Sequence, residues 1–427
     1  MTTTLLIEPE DPEVVRKPSA PDIAWNLEQK NYEMLMAHYR PLFNLTKYDG
    51  CYIPQNRDHD IHPVVYYLRW IFIGTVLALA SYQMVYMFFF VLFEEDYSAQ
   101  AALTIVELMW SFQSILSICF TIHWRRQNCM TALFRACHEL HKSKPLATAK
   151  PWIYAIVKIG VFMLTGATLY SIVVILCEVV DYKEFLMVET KYVVVWGEEL
   201  LPLHVIIFTY IYFTWVCCLG RFLAFTIVAY FESEYFNQRL AEVGKSGRNI
   251  GDELLELYEK HRQLAEGIDL LDETYQIYVF FMLFSNVPAM IFSLIAFFLN
   301  LKASWYSALL TLPSVVFCFV TMLGLTVIPA NLHGSVTRVE KVLFLNTRIW
   351  KPYNEKVYQT AQMLITHGKQ DSLGVSAWGF ATVSKPLILT VSLDSKKRFK
   401  VWVLGSIADR VLSIVYPGNE VRICDRL

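Results

Sequence analysis

Residues 374–393 read GVSAWGFATVSKPLILTVSL. A membrane-crossing helix needs about 20 mainly apolar residues in succession. This stretch reaches that length only just before the charged run SLDSKKRFK, and it carries Lys385 beside Pro386. Longer apolar stretches precede it, at about 64–93, 101–123, 152–180, 200–231, 276–300 and 305–330. The reading is an all-α polytopic membrane protein of seven helices, with 374–393 as the last and weakest span. A polar segment, 1–63, precedes the spans and an atypical tail, 394–427, follows them.

Composition agrees with a membrane protein. The chain has 427 residues, 55% hydrophobic and 18% charged, whereas an ordinary soluble domain is about a quarter charged. The formal net charge of −2 points away from nucleic acid as a partner. The N-terminus, MTTTLLIEPEDPEVVRKPSAPD, shows no basic region leading into an apolar one, so no cleavable signal is expected. No two cysteines share a short outer loop, which argues against a disulfide framework. No Cys/His spacing suits zinc, and Walker A, GxGxxG, HExxH and GxSxG patterns are missing from the sequence. The expectation is therefore a protein that is not an enzyme, with no cofactor and no metal.

Loop charge sets the orientation. The loop after the first span, EEDYSAQ, has no Lys or Arg, and the loop after the second has Arg125, Arg126, Arg135, Lys142, Lys144 and Lys150. The alternation continues: Lys183 and Lys191 are sparse after the third span, Arg239, Lys245, Arg248, Lys260 and Arg262 follow the fourth, and Lys302 stands alone after the fifth. The N-terminus is expected in the cytoplasm, the reverse of a G-protein-coupled receptor. Asn44-Leu45-Thr46 is then a glycosylation sequon that is never modified.

Two inner loops have helical patterns. Ile250, Leu254, Leu257, Tyr258, His261, Leu264, Ile268 and Leu271 fall on one stripe of 250–275. That predicts a cytoplasmic extension of the fifth span with one packed face. VTRVEKVLFL and EKVYQTAQMLI, within 331–373, are the second pattern.

AYFESEYFNQRLAEV (229–243), LYEKHRQLAEGIDLLDETYQIYVFFMLFSNVPAMIFSLI (257–295) and VYQTAQMLITHGKQDSLGVSAWGFATVSKPLILT (357–390) together resemble the gustatory receptor family of invertebrates, part of the insect chemoreceptor superfamily. The nematode branch, with light- and peroxide-sensing members, is included in that likeness. The resemblance covers about residues 60–390 and rests on span order and loosely spaced motifs. It implies a ligand-gated or light-gated cation channel in the plasma membrane, a homotetramer or a hetero-oligomer with related receptors. It also implies that the seventh helix lines the pore, with a ligand pocket among the outer halves of the other helices. The chain departs from the family after Thr390, where VSLDSKKRFK replaces the usual ending. Val391-Ser392 can be encoded by a splice-donor consensus, so read-through into an intron is the expected origin of the tail, and its coding sequence tests this.

Ionisable residues inside spans are functional candidates. Glu107 lies about two turns into the second span, with Trp110 on the same face. A carboxylate beside an indole suits a polar or cationic small molecule, so Glu107, Trp110, Trp196 and Trp305 are the candidate ligand residues. Tryptophan absorbs ultraviolet light without a cofactor, which makes Trp70, Trp110, Trp215 and Trp305 candidate absorbers if light is the stimulus. Against both readings stands the ordinary role of Trp in interfacial belts against the lipid bilayer. Lys385 and Thr390 are the pore-region candidates. Lys158, near the inner end of the third span, can snorkel, and Arg221, in the inner half of the fourth, can pair with an inner-leaflet carboxylate or a lipid phosphate. A transporter is the competing class, since Pro288 and Pro313 interrupt two spans, but no internal repeat supports it.

Overall fold

The computed structural model describes residues 63–93, 99–127, 129, 132–133, 145–179, 191–368 and 373–385. The segment 1–62 with its sequon, Thr390 and the tail 394–427 lie outside the described residues. In chain order the elements are α1 (Pro63–Phe93), α2 (Ala99–Arg126), α3 (Pro145–Val179), α4 (Lys191–Glu242), α5 (Ile250–Ala303), α6 (Trp305–Val336), α7 (Val339–Leu345), α8 (Thr347–Trp350), α9 (Glu355–Gly368), β1 (Ser376–Ala377) and β2 (Ala381–Thr382). Among the described residues, six helices are long and apolar enough to cross a membrane. They are α1 to α6.

The bundle is organised around α4. In its most apolar stretch 78% of residues are buried, against 6% in α3, so α4 is the central helix and α3 the peripheral one. α5 packs most extensively on α2 and α6, and α4 on α3 and α6. α4 has 52 residues and α5 has 54, so each is about 80 Å long at 1.5 Å per residue. A bilayer core is about 30 Å thick. Both helices therefore continue far beyond it, at the end that loop charge assigns to the cytoplasm, called the inner end below. The stretches expected as a loop helix (250–275) and a span (276–300) are one uninterrupted helix, α5.

Local chemistry explains the α4–α5 reversal. Gly244 and Gly247 have φ of 78° and 76°, the left-handed region that glycine enters without a Cβ clash. Asn249 caps α5 by accepting from the Gly251 N–H at 3.1 Å. Glu253 accepts from the Gly244 N–H at 2.9 Å and from the Ser246 hydroxyl, and these bonds hold its carboxyl below the usual range. The end of α4 is closed by Asn346, which donates to the Leu240 and Val243 carbonyls at 3.3 and 3.1 Å.

The stripe on 250–275 is buried inside this one chain. Leu254, Leu257, His261, Leu264, Ile268 and Leu271 are all buried, against α4, α9 and their neighbours. Ile250 and Tyr258 are partly buried beside them. α7 and α9 correspond to the two helical patterns of 331–373.

The quoted stretch 374–393 does not begin a helix, which corrects the expected start of the seventh span. β1 and β2 pair antiparallel, Ser376 opposite Thr382 and Ala377 opposite Ala381. Trp378 and Gly379 at the turn have φ of 53° and 70°, positive at both central residues as a type I′ hairpin turn requires. Asp272 of α5 holds the hairpin, accepting from the Ser376 N–H at 2.6 Å and its hydroxyl at 3.0 Å. The Trp378 N–H donates to the Gln276 carbonyl at 3.1 Å. Two glycines inside the stretch, with anchors on α5, favour a turn where hydropathy alone suggested a span. Residues 386–393 lie outside the described residues.

Candidate functional site

The aromatic and polar side chains of α2, α4, α5 and α6 meet about halfway along the bundle. On α2, Trp110, Ser114, Ser117 and Thr121 recur at helical spacing, and the last three are buried polar residues in an apolar helix. Trp110 meets Tyr212 edge-on at 5.9 Å and Phe317 at 5.1 Å between ring centroids. Trp215 meets Tyr212 at 5.6 Å and Phe317 at 4.9 Å. Phe208 lies against Tyr212 at 4.1 Å. Trp110–Tyr212, Trp110–Phe317 and Trp215–Tyr212 meet edge to face, an arrangement the ring quadrupole favours, and together the rings form an aromatic cage of α2, α4 and α6.

The polar atoms of the cage are not satisfied as a protein core requires. Tyr212 and Trp215 are 2% and 1% exposed, yet the Tyr212 hydroxyl and the Trp215 indole N–H have no hydrogen-bond partner. The Trp110 N–H, on a half-buried ring, also has no hydrogen-bond partner. On the α5 side the Gln113 amide donates to the Ser285 hydroxyl at 2.8 Å, and the Asn286 amide donates to the Cys318 carbonyl at 3.1 Å. Their oxygens, Gln113 Oε1 and Asn286 Oδ1, have no partner. The Ser293 hydroxyl lies 3.6 Å from the Cys318 sulfur. Buried groups of this type are costly in low dielectric unless something pairs with them.

The sequence candidates fall into two groups. Trp110 belongs to the cage, and Glu107, half-buried, stands three residues before it on α2. Trp215, named as an absorber, is a wall of the same cage. Trp305 opens α6 and is 60% exposed, about 18 Å along that helix from Phe317 at 1.5 Å per residue, so it is not a cage residue. Trp70 stands half-buried on α1, a helix outside the cage. Trp196 is on α4 with its side chain outside the described residues. Lys385 is exposed and lies over the inner end of α6, its Nζ 3.9 Å from where a Cβ on Gly334 would stand. Arg221 is buried and donates to the Thr121 hydroxyl at 3.1 Å, and Lys158 is exposed on α3.

Tyr212, Phe317 and Cys318 were not singled out from the sequence. Aromatic and small residues in spans of abundant aromatics carry no signal alone. The row Ser114, Ser117 and Thr121 did, because polar residues at that spacing in an apolar helix mark a face turned toward protein.

This is an all-α, multi-pass membrane protein with an aromatic cage among three of its helices. The sequence model described as 7tm chemosensory receptor matches residues 40–392, and the chain belongs to that family. Its fold is similar to the insect olfactory receptor OR5 from Machilis hrabei in complex with eugenol, with TM-score 0.68, 14% identity, and 88% of this chain and 99% of that chain covered. A second structure of that receptor aligns with TM-score 0.62 and 12% identity, covering 87% of this chain and 99% of that one. At these identities the likeness is one of fold. Among curated proteins, none matches this chain by sequence.

Proposed function

We propose that the chain is a subunit of a stimulus-gated cation channel of the plasma membrane, with its N-terminus in the cytoplasm, working as a homotetramer or with related receptors. The cage of Trp110, Tyr212, Trp215 and Phe317 is its small-molecule site. The observation that carries this is the meeting of Trp110, Tyr212, Trp215 and Phe317 from three helices, with buried donors on Tyr212 and Trp215 that lack partners. Support also comes from the similar olfactory receptor, which was solved in complex with eugenol. The N-terminal orientation rests on the alternation of loop charge. Lys385 beside the inner end of α6 suits a place at the wide inner mouth of a pore, because a ring of ammonium groups in a constriction would oppose cation flow.

Ultraviolet light is a second reading, favoured by the joining of two tryptophans, Trp110 and Trp215, through shared contacts with Tyr212 and Phe317. One experiment tests both readings. Whole-cell current is recorded from the 427-residue chain, and from one with a family-type ending after Thr390, under sugars, bitter compounds, peroxide and ultraviolet light. Current is expected from the chain with the family-type ending and reduced or lost in the 427-residue chain. Robust gating by the 427-residue chain would overturn the view that the tail after Thr390 disables the pore. No response of the chain with the family-type ending to any stimulus would count against the channel reading.

A further inference from the structure

We propose that Ser246, in the turn between α4 and α5, is a phosphorylation site for a kinase that selects basic surroundings, and that its phosphate loosens this turn. Access in the cell rests on the reading of the inner end as cytoplasmic, where ATP and kinases are found. Residues 243–249 join the two longest described helices, and Lys245, Ser246, Gly247, Arg248 and Asn249 are all exposed. Lys245 directly precedes the serine and Arg248 follows two positions on, with Arg239 in the last turn of α4. An acidic kinase cleft is complementary to that charge. The hydroxyl also has a definite place in the turn. It donates to the Glu253 carboxylate and accepts from the Arg248 N–H at 3.1 Å. The other oxygen of that carboxylate accepts from the Gly244 N–H at 2.9 Å, and the Gly244 carbonyl accepts from the Arg348 guanidinium at 3.2 Å. One carboxylate thus ties the start of the turn, and the serine, to the first turn of α5.

Transfer from ATP forms a bond between Ser246 Oγ and the γ-phosphorus and breaks the bond to the bridging oxygen. ADP leaves, and the hydroxyl proton passes to the catalytic carboxylate of the kinase. The product has a charge of about −1.5 to −2 at neutral pH and no hydrogen left to donate from Oγ. Two anions then face each other where a hydrogen bond had been. Glu253 stays ionised, because its bonds from Gly244 and Ser246, with Arg248 and Arg239 nearby, hold its carboxyl below the usual range. The phosphate has more charge and more acceptor oxygens than a carboxylate, so it takes Lys245 and Arg248 as partners. Glu253 is pushed away, and the Gly244 N–H loses its acceptor. The joint that loosens links α4, which carries Tyr212 and Trp215, to α5, which holds the hairpin through Asp272.

The test uses the full chain in lipid nanodiscs, which leave both membrane faces open to solvent. The chain is incubated with ATP and the catalytic domain of protein kinase C. Phosphate is located by mass spectrometry, and amide hydrogen exchange is followed over 240–256. Ser246 is expected to take up phosphate in the folded chain, and Ser246→Ala to lose it. Phosphorylation should speed exchange over 240–256 by about tenfold, the scale of one lost hydrogen bond. Glu253→Gln keeps an acceptor for the Gly244 N–H and removes the charge, so the same phosphate should leave its exchange nearly unchanged. Phosphate absent from Ser246, or present only once the chain is unfolded, overturns the site. Exchange that is unchanged or slowed by the phosphate overturns the loosening. An equal rise in Glu253→Gln overturns the clash of anions as its cause. A tag on the N-terminus of the chain in intact cells tests the orientation separately: staining without permeabilisation would refute cytoplasmic access while the nanodisc result stood.

Discussion

Two tryptophans, Trp124 and Trp215, are equally deep in the molecule, at 2% and 1% exposure, and differ in what their N–H groups do. Trp124, near the inner end of α2, donates to the Thr274 carbonyl at 2.9 Å and packs against Tyr275 and Tyr278. Trp215, in the cage, donates to nothing. The inner layer has the marks of a scaffold: Arg338 pairs with Glu234 at 2.7 Å, Asn346 closes α4, and Trp350 donates to the Leu343 carbonyl at 2.9 Å. The cage leaves donors and acceptors open. At equal burial the two tryptophans thus differ in whether their N–H groups are satisfied.

The strongest way to break this contrast is at the inner end. Leu257 and Leu264 are buried in the α5 stripe, and Leu257→Asp with Leu264→Asp would bury two carboxylates at a cost of about 5 kcal/mol or more. Assembly and trafficking should fail, seen as loss of a monodisperse peak in fluorescence-detected size exclusion. A normal peak would mean that the stripe is not part of the scaffold.

Acid should weaken the same region. His261 is buried against Phe236 of α4 and His367 of α9, and burial, with the neighbouring His367 second, lowers its pKa to about 4. The unfolded chain binds the proton at about 6.5. Above that pH both states are neutral at this site and nothing is lost. As pH falls from about 6.5 to about 4 only the unfolded state gains the proton, and stability drops by up to about 3 kcal/mol. His261→Phe should remove that part of the pH dependence, measured as the midpoint of thermal unfolding across this window. An unchanged acid slope in the variant would place the effect elsewhere.

The smallest effect is the sharpest test of the comparison. Both Trp124→Phe and Trp215→Phe shrink a buried ring and leave a cavity. Trp124→Phe also loses a buried hydrogen bond and should cost about 1 kcal/mol more than Trp215→Phe, which removes an unpaired donor. Equal losses in the two variants, read by thermal unfolding without ligand, would erase the distinction between scaffold and cage.

The sequence by itself determined the six long apolar helices, because hydrophobic length is a local property and a bilayer sets its scale. It also determined the buried face of 250–275, where charged residues on the other face make the 3.6-residue period visible. Within the spans that signal disappears: a helix apolar on all sides does not show which side meets protein and which meets lipid. Only the tertiary structure therefore decided that Trp110, Tyr212, Trp215 and Phe317, from three helices far apart in sequence, form one cage, and that Trp70 and Trp305 stand outside it. The same holds for 374–384. Its hydropathy suggested a span, but its glycines and the carboxylate of Asp272, about a hundred residues earlier in the chain, make it a hairpin. Hydropathy is summed along the chain, whereas the bonds that settled this segment come from a helix that only folding brings beside it.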